Sequence, residues 1–340
     1  MSVQEDVLAR ELAIAATLDK NGVAIKIKSR TVAAFDRLLG SLVDIPVAFS
    51  DGVARKKRVR DQIQERLLLA QADLAEQRLR GAPIVGDALL FDILKDAARK
   101  QMNAAGVAIE AFYTLKALPP PDTDATPEGE SESESRPQHI DDDWMNQFVR
   151  YAEDASSDEL QVIWGRVLAG EIGAPASFSR HTLRFIAELD WETAKNCEFV
   201  REHAVGDIVP MTELWRGGEG YLIGIDLQRL GLVEGIGSLP PAHSFEIGAD
   251  GFSVVVAGKK ALILYGPPGH KISIPAIVLT RLGREVFSLL EPQDSETGLR
   301  EFAEAVRNSG VIKADIAKIM LQRGNTIQFL VSEHLWDGVV

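Results

Sequence analysis

The residue types that carry most protein chemistry are sparse and scattered in this chain. Its six histidines, His139, His181, His203, His243, His270 and His334, never recur at i, i+4, the spacing that presents two imidazoles to one metal from a helix face. The single cysteine, Cys197, excludes an intrachain disulfide and any multi-cysteine zinc or iron–sulfur site. It falls between Ala194 and Val200 in a helical pattern and reads as a small buried hydrophobe. No Gly-x-Ser-x-Gly nucleophile elbow occurs. "ALILYGPPGHK" looks like a phosphate loop, yet Lys271 follows His270 and runs into "ISIPAIVL", a strand pattern. The helix N-terminus that would hold phosphates is missing, so a Pro-Pro-Gly hairpin turn is the reading. His181, beside Arg180 and Arg184, reads as part of a solvated face. The expectation is no cofactor, no metal site and no nominated catalytic residue, with an enzyme whose pocket assembles only in space left as an open alternative.

One basic run could do binding chemistry. Arg55, Lys56, Lys57, Arg58 and Arg60 suit phosphates or an anionic membrane surface. The apolar stretch before it, broken at Pro46, suits an interfacial helix. The simpler reading of the run is the solvated start of a helix. A net charge of -13 argues against wholesale nucleic-acid binding, which needs clustered cations to neutralise phosphates. The first twenty residues carry acids where a signal peptide needs bases, and no window approaches 18 uncharged apolar residues. A cytoplasmic protein without a transmembrane segment is expected, peripheral membrane contact staying open.

The elements that must position these residues divide at residues 117–140. Five prolines and nine acids within residues 117–143 leave too little apolar surface to offset ordering entropy, so this segment reads as a disordered acidic linker. Residues 1–116 before it are helical. Val59, Ile63, Leu67, Ala70 and Leu74 form one narrow stripe; Leu94, Ala98, Met102, Ala105, Ile109 and Phe112 form another. With Gly81 and Pro83 between them, the two should fold back as a long antiparallel hairpin. Residues 141–206 hold four helical patterns, the second opened by a capping box of Ser156 and Glu159 and stopped at Gly173 and Pro175. Leu183, Ile186 and Leu189 should be buried in the third, and Asp190 should cap the fourth. Residues 207–340 change period: a short helix ending at Gly231, β-branched runs separated by Gly and Pro, helices after Thr280 and at "SETGLREFAEAV", then two strand candidates. The whole is α+β and mainly α: a helical hairpin, a central helical bundle, and a small antiparallel sheet with helices in winged-helix-like order. The helix that would read DNA offers only Gln228 and Arg229 and carries Asp226, which favours protein contact over base readout.

The stretch 141–200 closely resembles a bacterial family catalogued as a domain of unknown function. The resemblance rests on Asp143 and Trp144, Tyr151 and Ala152, Glu159, Leu160, Gln161 and Trp164, Leu168 to Glu171, Pro175, and Phe178 with Ser179. Upstream, Arg99, Lys100, Gln101 and Asn103 are similar to a helix of the same family, and "IVLTRLGREVFSLL" to its C-terminal helix. The N-terminal pattern of the family survives only as Pro46 and "ARKKRVRDQIQE". The family brings no catalytic residues. A distant similarity confined to the Trp164 helix links the chain to abortive-infection proteins of phage defence, implying a defence-associated role. Trp144, Trp164, Leu168, Glu171, Pro175, Phe178 and Ser179 read as a structural signature. Gly165 and Gly170 should permit close helix approach, and Glu171 should cap the Ser177–Ser179 helix start or pair with Arg180. The chain reads as a non-enzymatic interaction protein that self-associates or binds a protein partner. The alternative is a membrane- or nucleic-acid-contacting effector acting through residues 55–60.

Overall fold

The computed structural model describes residues 30–31, 33–38, 87–117, 139–237, 240–290, 296–323 and 326–338. The basic run at 55–60, the first helix of the expected hairpin and most of the acidic linker lie outside these residues. The fold is α+β, with helices leading and antiparallel sheets following. It divides into two compact units, Met1–Leu183 and Arg184–Val340.

In the first unit, α1 (Asp87–Ala117), α2 (Asp142–Asp154) and α3 (Asp158–Gly173) pack together. The second helix of the expected hairpin is therefore present, but its stripe is not narrow. Residues 103–109 are buried on every side, because α2 and α3 both close on α1. Small side chains make this approach feasible. A Cβ on Gly165 of α3 would lie 2.4 Å from Glu110 Cβ and 2.8 Å from the Ala111 amide on α1, and one on Gly106 of α1 would strike the Gln161 side chain of α3. Each helix thus contributes a glycine where the other presses closest. Asn103 on α1 donates to the Glu153 carbonyl at the end of α2 at 2.8 Å, and Arg30 donates to the carbonyls of Ile172 and Gly173 that end α3. One cap differs from expectation. Ser157, not Ser156, takes the N-cap of α3, its hydroxyl accepting from the Leu160 amide at 3.2 Å, so Glu159 sits one place too early to close a capping box.

The chain divides within α4 (Arg180–Ala187). The second unit continues with α5 (Trp191–His203), capped by Asp190 as expected. It then runs through β1 (Ile208–Pro210), a 3-10 turn at Glu213–Trp215, α6 (Gly218–Arg229), β2 (Val233–Glu234), β3 (Ala242–Glu246), β4 (Phe252–Ala257), β5 (Lys260–Tyr265), β6 (Lys271–Leu279), α7 (Arg281–Phe287), α8 (Thr297–Ala305), β7 (Lys313–Arg323) and β8 (Thr326–Asp337). Although α5 reads with the helices before it, Cys197, Val200 and Ala204 bury it in one core with Trp215, Leu227, Val286 and Phe287. Its packing therefore assigns it to this unit. Leu189, just before it, is only half-buried.

Two four-stranded antiparallel sheets form where the sequence suggested one. In the first, β1 and β2 flank β6, and β3 pairs with the early part of β6. Helix, strand, helical turn, helix, strand, strand, with the last strand, β6, in the middle of the sheet, is the winged-helix order, enlarged between β2 and β6. The second sheet runs β4–β5–β7–β8. The Pro-Pro-Gly segment is consequently a turn between sheets and not a hairpin. Ala261, Leu262, Ile263 and Leu264 are buried on both faces of β5, which places it centrally between β4 and β7 and sends β6 elsewhere. Gly231 ends α6 with φ +76°, and Leu232 folds back to donate to the Leu227 carbonyl. The Thr280 hydroxyl accepts from the Gly283 amide to start α7.

An exposed helical Gly→Ala change gains up to about 1 kcal/mol. Gly165→Ala is expected instead to lose about 1–3 kcal/mol in urea unfolding, because its methyl has no room against α1. A stabilised variant would contradict the close crossing of α1 and α3.

Candidate functional site

The signature residues converge in the interior of the first unit. Trp164 is 2% exposed, stacks on Tyr151 with ring centroids 5.5 Å apart, and meets Phe148 edge-on at 5.7 Å. Trp144 stacks on Phe148 and donates its indole N–H to the Phe178 carbonyl at 2.8 Å. The Phe178 ring fills the space beside Gly170. Glu171, buried at the end of α3, accepts from the Ala176 amide at 2.6 Å and from the Phe178 amide at 3.1 Å. Those bonds hold Ala176 at φ +68°, the left-handed region that a residue with a Cβ enters only under constraint. Of the two expectations for Glu171, the capping one matches these bonds, while Arg180 approaches Asp143 at 3.6 Å. Pro175 follows the end of α3, Ser179 accepts from the Thr182 amide to open α4, and His181 is exposed. Leu168 is fully buried. Arg99 and Lys100 both pair with Asp96, and Arg99 also reaches Asp154 of α2.

In the second unit, α6 holds the position from which a winged helix reads a groove. Gln228, one of its two candidate reading side chains, is engaged elsewhere. Its amide donates to the Ile236 carbonyl at 3.1 Å and accepts from the Ile236 amide at 2.9 Å, bracing the turn after β2. Arg229 pairs with Asp226 at 3.3 Å, and Arg216 with Glu213 at 3.0 Å. The exposed side chains of the helix are Glu219, Leu222, Asp226 and Arg229, with Leu230 exposed at its C-cap; Leu222 is 63% and Leu230 43% exposed, on either side of Asp226.

A third constellation was not foreseen in the sequence. Asp315, fully buried in β7, accepts from His334 Nδ1 of β8 at 2.8 Å and lies 2.6 Å from Lys313 Nζ. A register shift sets it there: Ala314 faces Trp336 but Asp315 faces His334, leaving Leu335 as a bulge that re-aims the imidazole. Burial pushes the Asp315 carboxyl up, but hydrogen bonds from Lys313 and His334 outweigh it and hold the group below its usual value. Burial and the Asp315 charge push the Tyr265 hydroxyl up, and Lys313 sits over the Tyr265 ring at 4.9 Å. His334 Nε2 faces the Asp337 carboxylate at 3.4 Å instead of a nucleophile. The arrangement can orient an imidazole and fix the hairpin. Nearby, Arg300 of α8 grips Glu333 with two nitrogens, at 3.0 and 2.6 Å, and also Glu296, which Lys260 holds at 2.8 Å. Cys197 is buried and its thiol is pushed up to about 12 by desolvation. Among the described residues no group of three or more His, Cys, Asp or Glu side chains could hold a metal ion, and no helix is long and apolar enough to cross a membrane.

The geometry therefore defines a chain with a helical unit built on buried aromatics and a winged-helix-like α+β unit. Residues 125–205 match the model of a family described as a protein of unknown function (DUF2806), so this part of the chain is similar to that family. No curated protein and no solved structure matches the chain.

Two predictions follow from these bonds. Ala176→Gly relieves the left-handed strain and is expected to raise stability by roughly 1 kcal/mol, whereas Glu171→Ala, read in the same denaturant titration, should lower it by about 2 kcal/mol. Because the folded-state value of Asp315 lies below its unfolded value, its contribution is complete above about pH 4 and fades as pH falls through the folded value. Asp315→Asn should remove about 1–3 kcal/mol at pH 7, a range discounted for its half-exposed partners. Equal losses at pH 7 and at pH 3 would show that the carboxylate charge is not what stabilises the hairpin.

Proposed function

We propose that this chain is a non-enzymatic protein-interaction protein whose second unit turns a winged-helix-like surface toward protein instead of nucleic acid. The observation that carries the reading is the use of α6. Gln228 is spent inside the fold on Ile236 and the exposed Arg229 pairs with its neighbour Asp226, while Leu222 and Leu230 face outward. A groove-reading helix needs the reverse, free amide and guanidinium groups toward the bases. Two exposed leucines suit the apolar centre of a protein interface. The net charge of -13 supports the same direction, since a phosphate backbone would be repelled. Self-association through this face is the form of the reading that we adopt, and a cytoplasmic location belongs to it. A part in phage defence is supported by the resemblance of the Trp164 helix to abortive-infection proteins.

Sedimentation velocity of the full chain tests the reading. The chain is expected to associate with increasing concentration, and Leu222→Asp with Leu230→Asp to shift it to monomer without changing its unfolding midpoint. A wild-type monomer at all concentrations would remove self-association. Salt-dependent binding to duplex DNA that is lost on Arg216→Glu and Arg229→Glu would replace the reading with nucleic-acid contact.

A further inference from the structure

Helix α5 ends where the turn between β4 and β5 arrives, and a cavity of about 130 Å³ lies between them. Its walls are Arg201, Glu202, Ala204 and Gly206 on one side and Val256, Ala257 and Gly258 on the other. That volume is several times the roughly 30 Å³ share of one water. The Arg201 Nε–H is buried without a hydrogen-bond acceptor, and among the described residues its guanidinium forms no ion pair. Glu202 lines the same cavity, and its carboxylate accepts from the Thr297 hydroxyl at 3.2 Å. A guanidinium that lines a polar hollow without an ion pair among the described residues suits an anionic acceptor, and its planar fork fits a carboxylate.

The strand beside the cavity supplies the second half of the site. Among the described residues β4 pairs only with β5 and forms the edge of its sheet. The two-residue turn Gly258–Lys259 makes Ala257 and Lys260 the hydrogen-bonded pair. In the alternation of an antiparallel ladder, Ser253 and Val255 then bond to β5, and Val254 and Val256 turn their N–H and C=O groups toward the open edge. This edge lacks the proline and charged side chains that usually blunt one, since it reads Phe-Ser-Val-Val-Val-Ala.

We infer that the β4 edge and the Arg201 cavity form one binding site for an extended peptide that ends in a free carboxylate. The peptide adds to the sheet parallel to β4, so that its C-terminus arrives at the end of the strand where Arg201 waits. Val254 and Val256 supply main-chain hydrogen bonds, Arg201 receives the terminal carboxylate, and the apolar walls Ala204, Val256 and Ala257 favour a small apolar last side chain. The site shares no residue with the α6 face, so either can fail while the other stands.

The test is a random hexapeptide library in two forms, one with a free C-terminal carboxylate and one amidated, passed over the immobilised full chain and read by mass spectrometry. The free-carboxylate form should be retained at least about tenfold better, as expected for a charge-assisted contact. Hydrogen exchange at the Val254 and Val256 amides should slow in the complex. Arg201→Gln should abolish the preference for the carboxylate. Should that variant disturb α5, Val254→Pro removes one outward N–H while sparing the β4–β5 ladder, and it should weaken retention with the carboxylate preference intact. Equal retention of the two forms, or no retention of either, overturns the inference. So does displacement of bound peptide by acetate as readily as by free peptide, which would make a small carboxylate the ligand.

Discussion

Strand β6 has to serve two hydrophobic cores at once. Ile272, Ile274 and Ala276 point from one face into the core built with Leu299 and Phe302 of α8 and Trp336 of β8. Ile277 and Leu279 point from the other into the core of α5, α6 and α7. The burial pattern follows: alternation as far as Pro275, then nearly continuous burial where both faces are covered. Because side chains alternate strictly along a strand, a register slip of one residue would exchange the two sets and expose both cores. The position of α6, the end of α5 and the turn after β5 all follow from that one alignment.

The first unit depends on a different device, the close contact of helix backbones. Gly106 and Gly165 let α1 and α3 approach to a separation at which a Cβ would collide, and the aromatic group of Trp144, Phe148, Tyr151 and Trp164 fills the space between α2 and α3. Polar groups caught in this packing find partners close by. The Trp144 indole bonds to the Phe178 carbonyl, Gln161 to the Ala155 carbonyl, and Glu171 to two amides beyond the helix end. Leaving such groups unpaired would cost more than their bonds contribute, so they specify the turn after α3 as firmly as the apolar contacts do.

Several charges in the second unit are paired with one another as well. Arg300, Glu296, Glu333 and Lys260 tie α8 to the second sheet, and Asp315 holds Lys313 and His334 at the bulge of β8. Exposed pairs of this sort stabilise little individually, but they withdraw cations from any role in phosphate binding. Set against that background, an arginine without an ion pair among the described residues and the leucines exposed at Leu222 and Leu230 are among the features that the fold does not use itself.

Much was legible in the sequence because it is local. Helix stops at Gly231, caps at Asp190 and Thr280, the burial of Trp164 and Leu168, and the strands from residue 252 onward all follow from spacing and from backbone conformations that few residues adopt. The α+β class followed from the same change of period. What the sequence could not carry depends on partners distant in the chain. The full burial of α1 required α2 and α3 to close on it. The split into two sheets required β5, apolar on both faces, to find β7 some fifty residues later. Ser157 won the cap over Ser156 by a one-residue shift that spacing cannot distinguish. Neither the Asp315 cluster nor the Arg201 cavity has a motif, because strand pairing and the arrival of a turn bring their residues together. The sequence by itself determined which segments are helices and which are strands, to within a residue or so at their ends, since those choices are settled by neighbours; the tertiary structure alone decided which polar groups were left unpaired, since satisfaction is a property of what lies across the fold.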